Sequence, residues 1–261
     1  MMRIPCGARS VLAVCGALVA PALSVVAETT FLPSSSFRTG ANGAEYRTDV
    51  RILNQGAAAV AVNATFYDQV TSAALVATSF RVEARSQAAF DNVLQSLFGR
   101  ALADGAYGPI RFEATGPVLV GASVNNVNAC GNGAVSGQWL PGIPSSEALR
   151  AGVIGQLAVS ASAASGYRTN LVFVNPSTSA ATVTVRVRSG DGTLRSTRTI
   201  GPLSPNGFSQ VGLETFPGLG GTTETNLWLE FTADQPILAY ATIIHNVSGD
   251  PFAVVAAEDA P

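Results

Sequence analysis

Few residues in this chain are of a type that does chemistry. His245 is the single histidine among 261 residues, so a general base built on imidazole would have to be that one. No Gly-x-Ser-x-Gly elbow, His-Glu-x-x-His or paired Cys-x-x-Cys accompanies it, and a serine triad on His245 would have to draw its partners from distant positions. A lone histidine at a strand end reads as a turn or surface residue. One His and one Cys are too few nitrogen and sulfur ligands for zinc, and Asp191-Gly192 and Ser248-Gly249-Asp250 read as turns rather than as converging calcium ligands. Gly131-Asn132-Gly133-Ala134-Val135-Ser136-Gly137 is glycine-rich like a phosphate loop, but such a loop joins a strand to a helix N-terminus. This one lies between two β-runs and reads as a hairpin loop. The expectation is a non-enzyme with no catalytic, cofactor-binding or metal-ligating residue.

Other residues could act by contact. Tyr46-Arg47-Thr48-Asp49 runs through Val50 and Ile52 to Asn54, and Tyr167-Arg168-Thr169-Asn170 runs through Leu171 and Phe173 to Asn175, 121 positions later. Arg47 and Arg168 hold the same place in both copies, and Arg38 lies near the start of the first. A cross-strand or strand-to-loop ion pair, with Asp49 near at hand, is expected for them; an anion or glycan contact is the functional alternative. Arg51 in the first copy becomes Val172 in the second, and Val174 follows, so that strand is apolar on both faces near its end. Either loops cover it or it packs on another unit or chain. Trp139, Trp228, Tyr107 and Tyr240 are candidates for an aromatic platform, with core or hairpin packing expected for each.

The elements that position these residues read as strands. Tyr46, Thr48, Val50 and Ile52 alternate with Arg47, Asp49 and Arg51, and Val60, Val62, Ala64 and Phe66 alternate with their neighbours, which predicts two adjacent antiparallel strands. Further strands are predicted over 74–83, 110–114, 118–124, 134–140, 153–159, 167–174 and 182–188. Leu94, Leu97 and Phe98 change the spacing to that of a short helix, with Asp91 to cap it and Gly99 to close it. Leu227, Leu229 and Phe231 match Gly108, Ile110 and Phe112, each 119 positions apart. Alignment near both ends predicts a domain-sized duplication: an all-β chain of two tandem immunoglobulin-like β-sandwich domains, 28–143 and 148–261, joined by a proline-stiffened stretch.

Residues 1–27 read as a secretory signal, with Arg3 and Arg9 ahead of an apolar run and small residues before Glu28. Its removal leaves Cys130 as the one thiol and excludes an internal disulfide. The 15 basic residues, all arginine, against 17 acidic ones leave no basic run for nucleic acid or an anionic membrane. No membrane span is expected after cleavage.

The run Gly40-Ala41-Asn42-Gly43-Ala44-Glu45-Tyr46-Arg47-Thr48-Asp49-Val50-Arg51-Ile52-Leu53-Asn54, the later Asp91-Asn92-Val93-Leu94 with Phe98-Gly99, and Gln138-Trp139-Leu140-Pro141-Gly142 together resemble a family of uncharacterised bacterial exported tandem β-sandwich modules. The resemblance implies a fold and an exported setting, periplasmic, extracellular or cell-surface, and carries no catalytic residue. The resulting expectation is a structural or protein-interaction module, with glycan binding as the alternative. A weaker likeness is to periplasmic pilus chaperones, which also pair two immunoglobulin-like domains but place an Arg and a Lys in the interdomain cleft; this chain has no lysine.

Overall fold

The computed structural model describes residues 28–40, 43–69, 74–129 and 134–259. The expected signal segment, Cys130 and residues 131–133 of the glycine-rich run lie outside them; Ala134 to Gly137, expected in a hairpin loop, instead begin a strand. The described chain is all-β, with 65% strand and 6% helix in two antiparallel sheets. The first half contains β1 (Glu28–Thr39), β2 (Glu45–Asn54), β3 (Val60–Tyr67), β4 (Ala74–Val82), β5 (Ser86–Phe90), the single-turn helix α1 (Val93–Ser96), β6 (Ala106–Ala114), β7 (Leu119–Ala129), β8 (Ala134–Pro141) and β9 (Ile143–Pro144). The second contains β10 (Leu149–Val159), β11 (Tyr167–Val174), β12 (Ala181–Ser189), β13 (Leu194–Leu203), β14 (Phe208–Gly212), β15 (Glu224–His245), β16 (Pro251–Val255) and β17 (Ala257–Glu258).

Period-two patterning explains which faces meet. In β12, Ala181, Val183, Val185 and Val187 are all fully buried while the residues between them are partly open. In the first half, β4-β3-β6-β1-β9 form one layer and β5-β2-β7-β8 the other, and β1 joins them by pairing with β2 only through Phe37, Arg38 and Thr39. Pro33 sits where the β1–β6 register shifts, between Leu32 and Ser35, a place where a missing N–H disturbs no ladder bond. The second half sets β13-β12-β15-β10-β17 in one layer and β14-β11-β15-β16 in the other. Here the 22-residue β15 makes the join: its first part pairs with β10 and β12, its second with β11 and β16.

Two local expectations are corrected. β2 and β3 are not neighbours: β2 pairs with β1, β5 and β7, whereas β3 pairs with β4 and β6 in the opposite layer. The chain crosses between layers just after Asn54, whose amide donates to the carbonyls of Ala58, Val82 and Glu83. Nor does Asp91 cap α1. Its carboxylate takes the Arg51 guanidinium at 2.6 Å, and the cap position is Asn92, with a left-handed φ of 45° and no side-chain cap. Gly99 does close the helix, with φ 65° and its N–H donated to the Gln95 carbonyl.

Two apolar clusters result. One lies wholly within the second half, around Phe173, Phe231 and the β12 valines. The other fills the first half and takes in Val172, Val174, Phe208, Leu238 and Tyr240, which stand on the outer face of the β14-β11-β15-β16 layer. The second half therefore lays one sheet face against the first. Ile143–Pro144 in the connecting stretch pairs with Thr30 and Phe31 of β1, so that stretch is bound into the first sheet.

Candidate functional site

The shared face changes character along its strands. On β11, Val174 and Val172 are buried, and two steps further Asn170 and then Arg168 line open space; on β15, Leu238 and Tyr240 give way to Thr242. Where the apolar residues seal the junction, Tyr107 of the first half meets Phe208 of the second edge to face, with ring centroids 6.4 Å apart. Arg111 reaches Asn206 at 3.3 Å, and the Gln138 amide donates to the Thr242 hydroxyl at 3.0 Å. Beyond that seal the halves part around a cavity of about 240 Å³. The first half lines it with Ser36, Arg38, Tyr46, Tyr107 and Gln138, and the second with Arg168, Asn170, Gln210 and Thr242.

Electrostatics set this cleft apart from the rest of an acidic chain. Arg38 lies over the Tyr107 ring, 4.3 Å from its centroid, and its Nε–H reaches the Thr39 carbonyl at 3.4 Å. Arg168 donates to the Asn246 side-chain oxygen at 3.0 Å. Neither has a carboxylate partner among the described residues, and no Asp or Glu is among the residues lining the cavity. Burial pushes the Tyr240 phenol up to about 12, with Ser34 and Thr242 pulling the other way, so it is a neutral hydrogen-bonding group at the cavity floor.

The repeated motif divides into structural and exposed members. Thr48 accepts the Ser36 N–H and donates back to the Ser36 carbonyl; Thr169 does the same with Ala158. Asn54 and Asn175 each clamp three carbonyls, at a strand end and in the loops beside it, and accept one N–H, from Gly56 and Ser177. Arg47 and Arg168 separate here. Arg47 is exposed and pairs with Glu45 on its own strand at 2.7 Å, not with Asp49, which instead accepts from the Asn92 N–H and the Asn125 amide. Arg168 faces the cleft. Val172 and Val174 lie in the seal.

The aromatic candidates fall in different settings. Trp228 is half-buried against its hairpin, donating to the Ser189 carbonyl at 3.0 Å with Arg188 near its ring. Tyr240 is buried and Tyr107 half-buried at the junction. Trp139 departs from the expected packing: it is 62% exposed, beside Leu119 at 57%. Its indole lies over Gly121, where a Cβ would fall 2.0 Å from a ring carbon, so the absent side chain is what lets the ring settle on the sheet. Both flank a groove of about 630 Å³ that also meets Glu28, Gln55, Pro117 and Glu147. His245 accepts the Ser248 N–H at Nδ1 within a turn and stacks edge-on against Tyr167; the Ser248 hydroxyl lies 3.0 Å from the same nitrogen. Among the described residues no three His, Cys, Asp or Glu side chains gather as metal ligands, and no helix is long and apolar enough to cross a membrane.

Sequence reasoning singled out Arg168 but not its setting. The cleft partners Tyr46, Gln138, Asn170 and Thr242 sit at ordinary strand positions, and only Asn170 carries a signal, the change from apolar to polar on its strand face ahead of Val172.

No family model and no curated protein sequence matches this chain. Among solved structures, protein 1070 of Thermotoga maritima is similar over 44% of this chain and 92% of its own, with 19% identity and a TM-score of 0.35. A β-glucuronidase from Parabacteroides merdae matches 90% of this chain and 28% of its own at 12% identity and a TM-score of 0.19. One from Ruminococcus gnavus matches 88% and 36% at 12% identity and a TM-score of 0.17, so the chain spans about a third of either enzyme.

Proposed function

We propose that this chain is a non-enzymatic exported module, made of two duplicated immunoglobulin-like β-sandwich units, that works by contact with another protein. Duplication is supported by the matching strand orders and by the paired bonds of Thr48 with Thr169 and Asn54 with Asn175. The immunoglobulin-like assignment draws on four strands. β2 and β5 adjoin in one layer, and β3 and β6 in the other, as strands B and E, C and F do in that fold. β1 beside β6 and β7 beside β2 are the departures.

The observation that carries the contact reading is the pair Trp139 and Leu119, two large apolar groups left open beside one groove. Tryptophan is the residue type most able to anchor an interface. A second reading, glycan binding, is favoured by an exposed indole beside a groove that also carries the polar Gln55 and Glu147.

A photo-crosslinker placed at position 139 of the exported protein tests this. A discrete protein adduct, absent when the crosslinker sits at exposed Arg81, supports the protein contact. No adduct, with a glycan-array signal that Trp139→Ala abolishes, would move the assignment to glycans. Robust hydrolase turnover lost on changing His245 would overturn the non-enzymatic reading.

A further inference from the structure

We propose that the cleft between the two halves is a binding site for a small hydroxylated carboxylic acid, held by Arg38 and Arg168. It shares no lining residue with the Trp139 groove, and neither proposal rests on the other.

Seven arginines of this chain, Arg47 and Arg111 among them, are matched with a carboxylate. Arg38 and Arg168 come from different halves, line one cavity and have no such partner among the described residues. The adjoining cavity, which shares Tyr46, Arg168 and Gly249 with the first, also has no acidic lining residue. Two guanidinium charges with no counter-charge make a local positive field in a chain of net charge −2.

Both groups are held before any ligand arrives, Arg38 by the Tyr107 ring and Arg168 by Asn246. Planar, preorganised guanidinium forks suit the planar carboxylate, which accepts two parallel N–H bonds. The lining backbone belongs largely to strands whose N–H groups are used in ladders, so recognition falls to side chains.

The remaining lining indicates hydroxyls on the ligand. Ser36, Asn170, Gln210 and Thr242 both donate and accept. Gln138 is 8% exposed, and its Oε1 has no hydrogen-bond partner while its Nε2 is engaged by Thr242. A buried acceptor left without a donor is costly; the oxygen is closed off from solvent, so a ligand hydroxyl satisfies it only when the Gln138 amide turns toward the cavity. At about 240 Å³ the cavity falls below the range of drug-sized sites, so the occupant is small.

Calorimetric titration of the purified protein with D-galacturonate, D-gluconate, D-galactose, acetate and inorganic phosphate tests this. Saturable binding of galacturonate or gluconate is expected, with galactose, which lacks the charge-assisted contact, and acetate, which lacks the hydroxyls, each weaker by about tenfold or more. Arg38→Gln and Arg168→Gln should each weaken the hydroxy acid similarly, and Arg47→Gln, outside the cleft, should not. In the unmutated protein, galacturonate or gluconate should slow modification of Arg168 by phenylglyoxal and galactose should not, a readout that needs no variant to fold. Absence of binding by both hydroxy acids, tighter binding of phosphate than of either, or equal losses in Arg47→Gln and Arg168→Gln would overturn the assignment.

Discussion

At the scale of single residues, the motif's closing asparagine is the position on which each half depends. Asn54 donates to carbonyls 28 and 29 residues ahead, and Asn175 does so at the same separations, with both side chains fully buried. Replacing either by alanine strands buried carbonyls and one N–H, each worth about 1–3 kcal/mol when left unpaired. Asn175→Ala and Asn54→Ala should therefore lose about 2–4 kcal/mol in urea unfolding, where an exposed asparagine such as Asn63 should lose under about 0.5 kcal/mol. The repeat of this asparagine was legible in the sequence. Its task was not, because two of its three partner carbonyls lie 28 and 29 residues ahead, and no local pattern marks a carbonyl as needing a donor. Trp139 shows a similar limit: large aromatic residues are normally buried, and only Gly121 on the neighbouring strand reveals why this one rests outside.

At the scale of elements, strand positions were legible because alternation is a property of the strand itself, whereas strand neighbours were not. β2 and β3 are consecutive in sequence and lie in opposite layers, since the Asn54 loop redirects the chain. The clearest test at this scale compares the two motif strands. Arg51 is more than a third exposed and pairs with Asp91 at the surface, so Arg51→Val should change stability by no more than about 1 kcal/mol. Val172, at the matching position of β11, is 1% exposed inside the junction. Val172→Arg puts an unpaired charge there, and a loss of about 3 kcal/mol or more is expected in the same unfolding assay. Comparable small effects of the two substitutions would mean that the β11 face is not held against the first half. The sequence had flagged this face by its second apolar stripe, without deciding what covers it.

At the scale of the whole molecule, the question is whether the two halves fold as one body. Val172, Val174, Phe208, Leu238 and Tyr240 belong to the apolar cluster of the first half although the second half supplies them. Burying side chains of this size contributes about 1.5–3 kcal/mol each, so separating the halves forfeits an amount comparable with the about 5–15 kcal/mol that stabilises a typical domain. An unfolded first half would leave that face bare, and the second half would be destabilised with it. Scanning calorimetry should accordingly show one transition, with a calorimetric-to-van't Hoff enthalpy ratio of about 1. Asn175→Ala should shift that whole transition down rather than split it. A chain of residues 148–261 alone should self-associate through the uncovered face, and Val172→Arg should suppress that association. Two separate transitions, with only the second moved by Asn175→Ala, would show instead that each half stands by itself and that the cleft between them opens without cost to either.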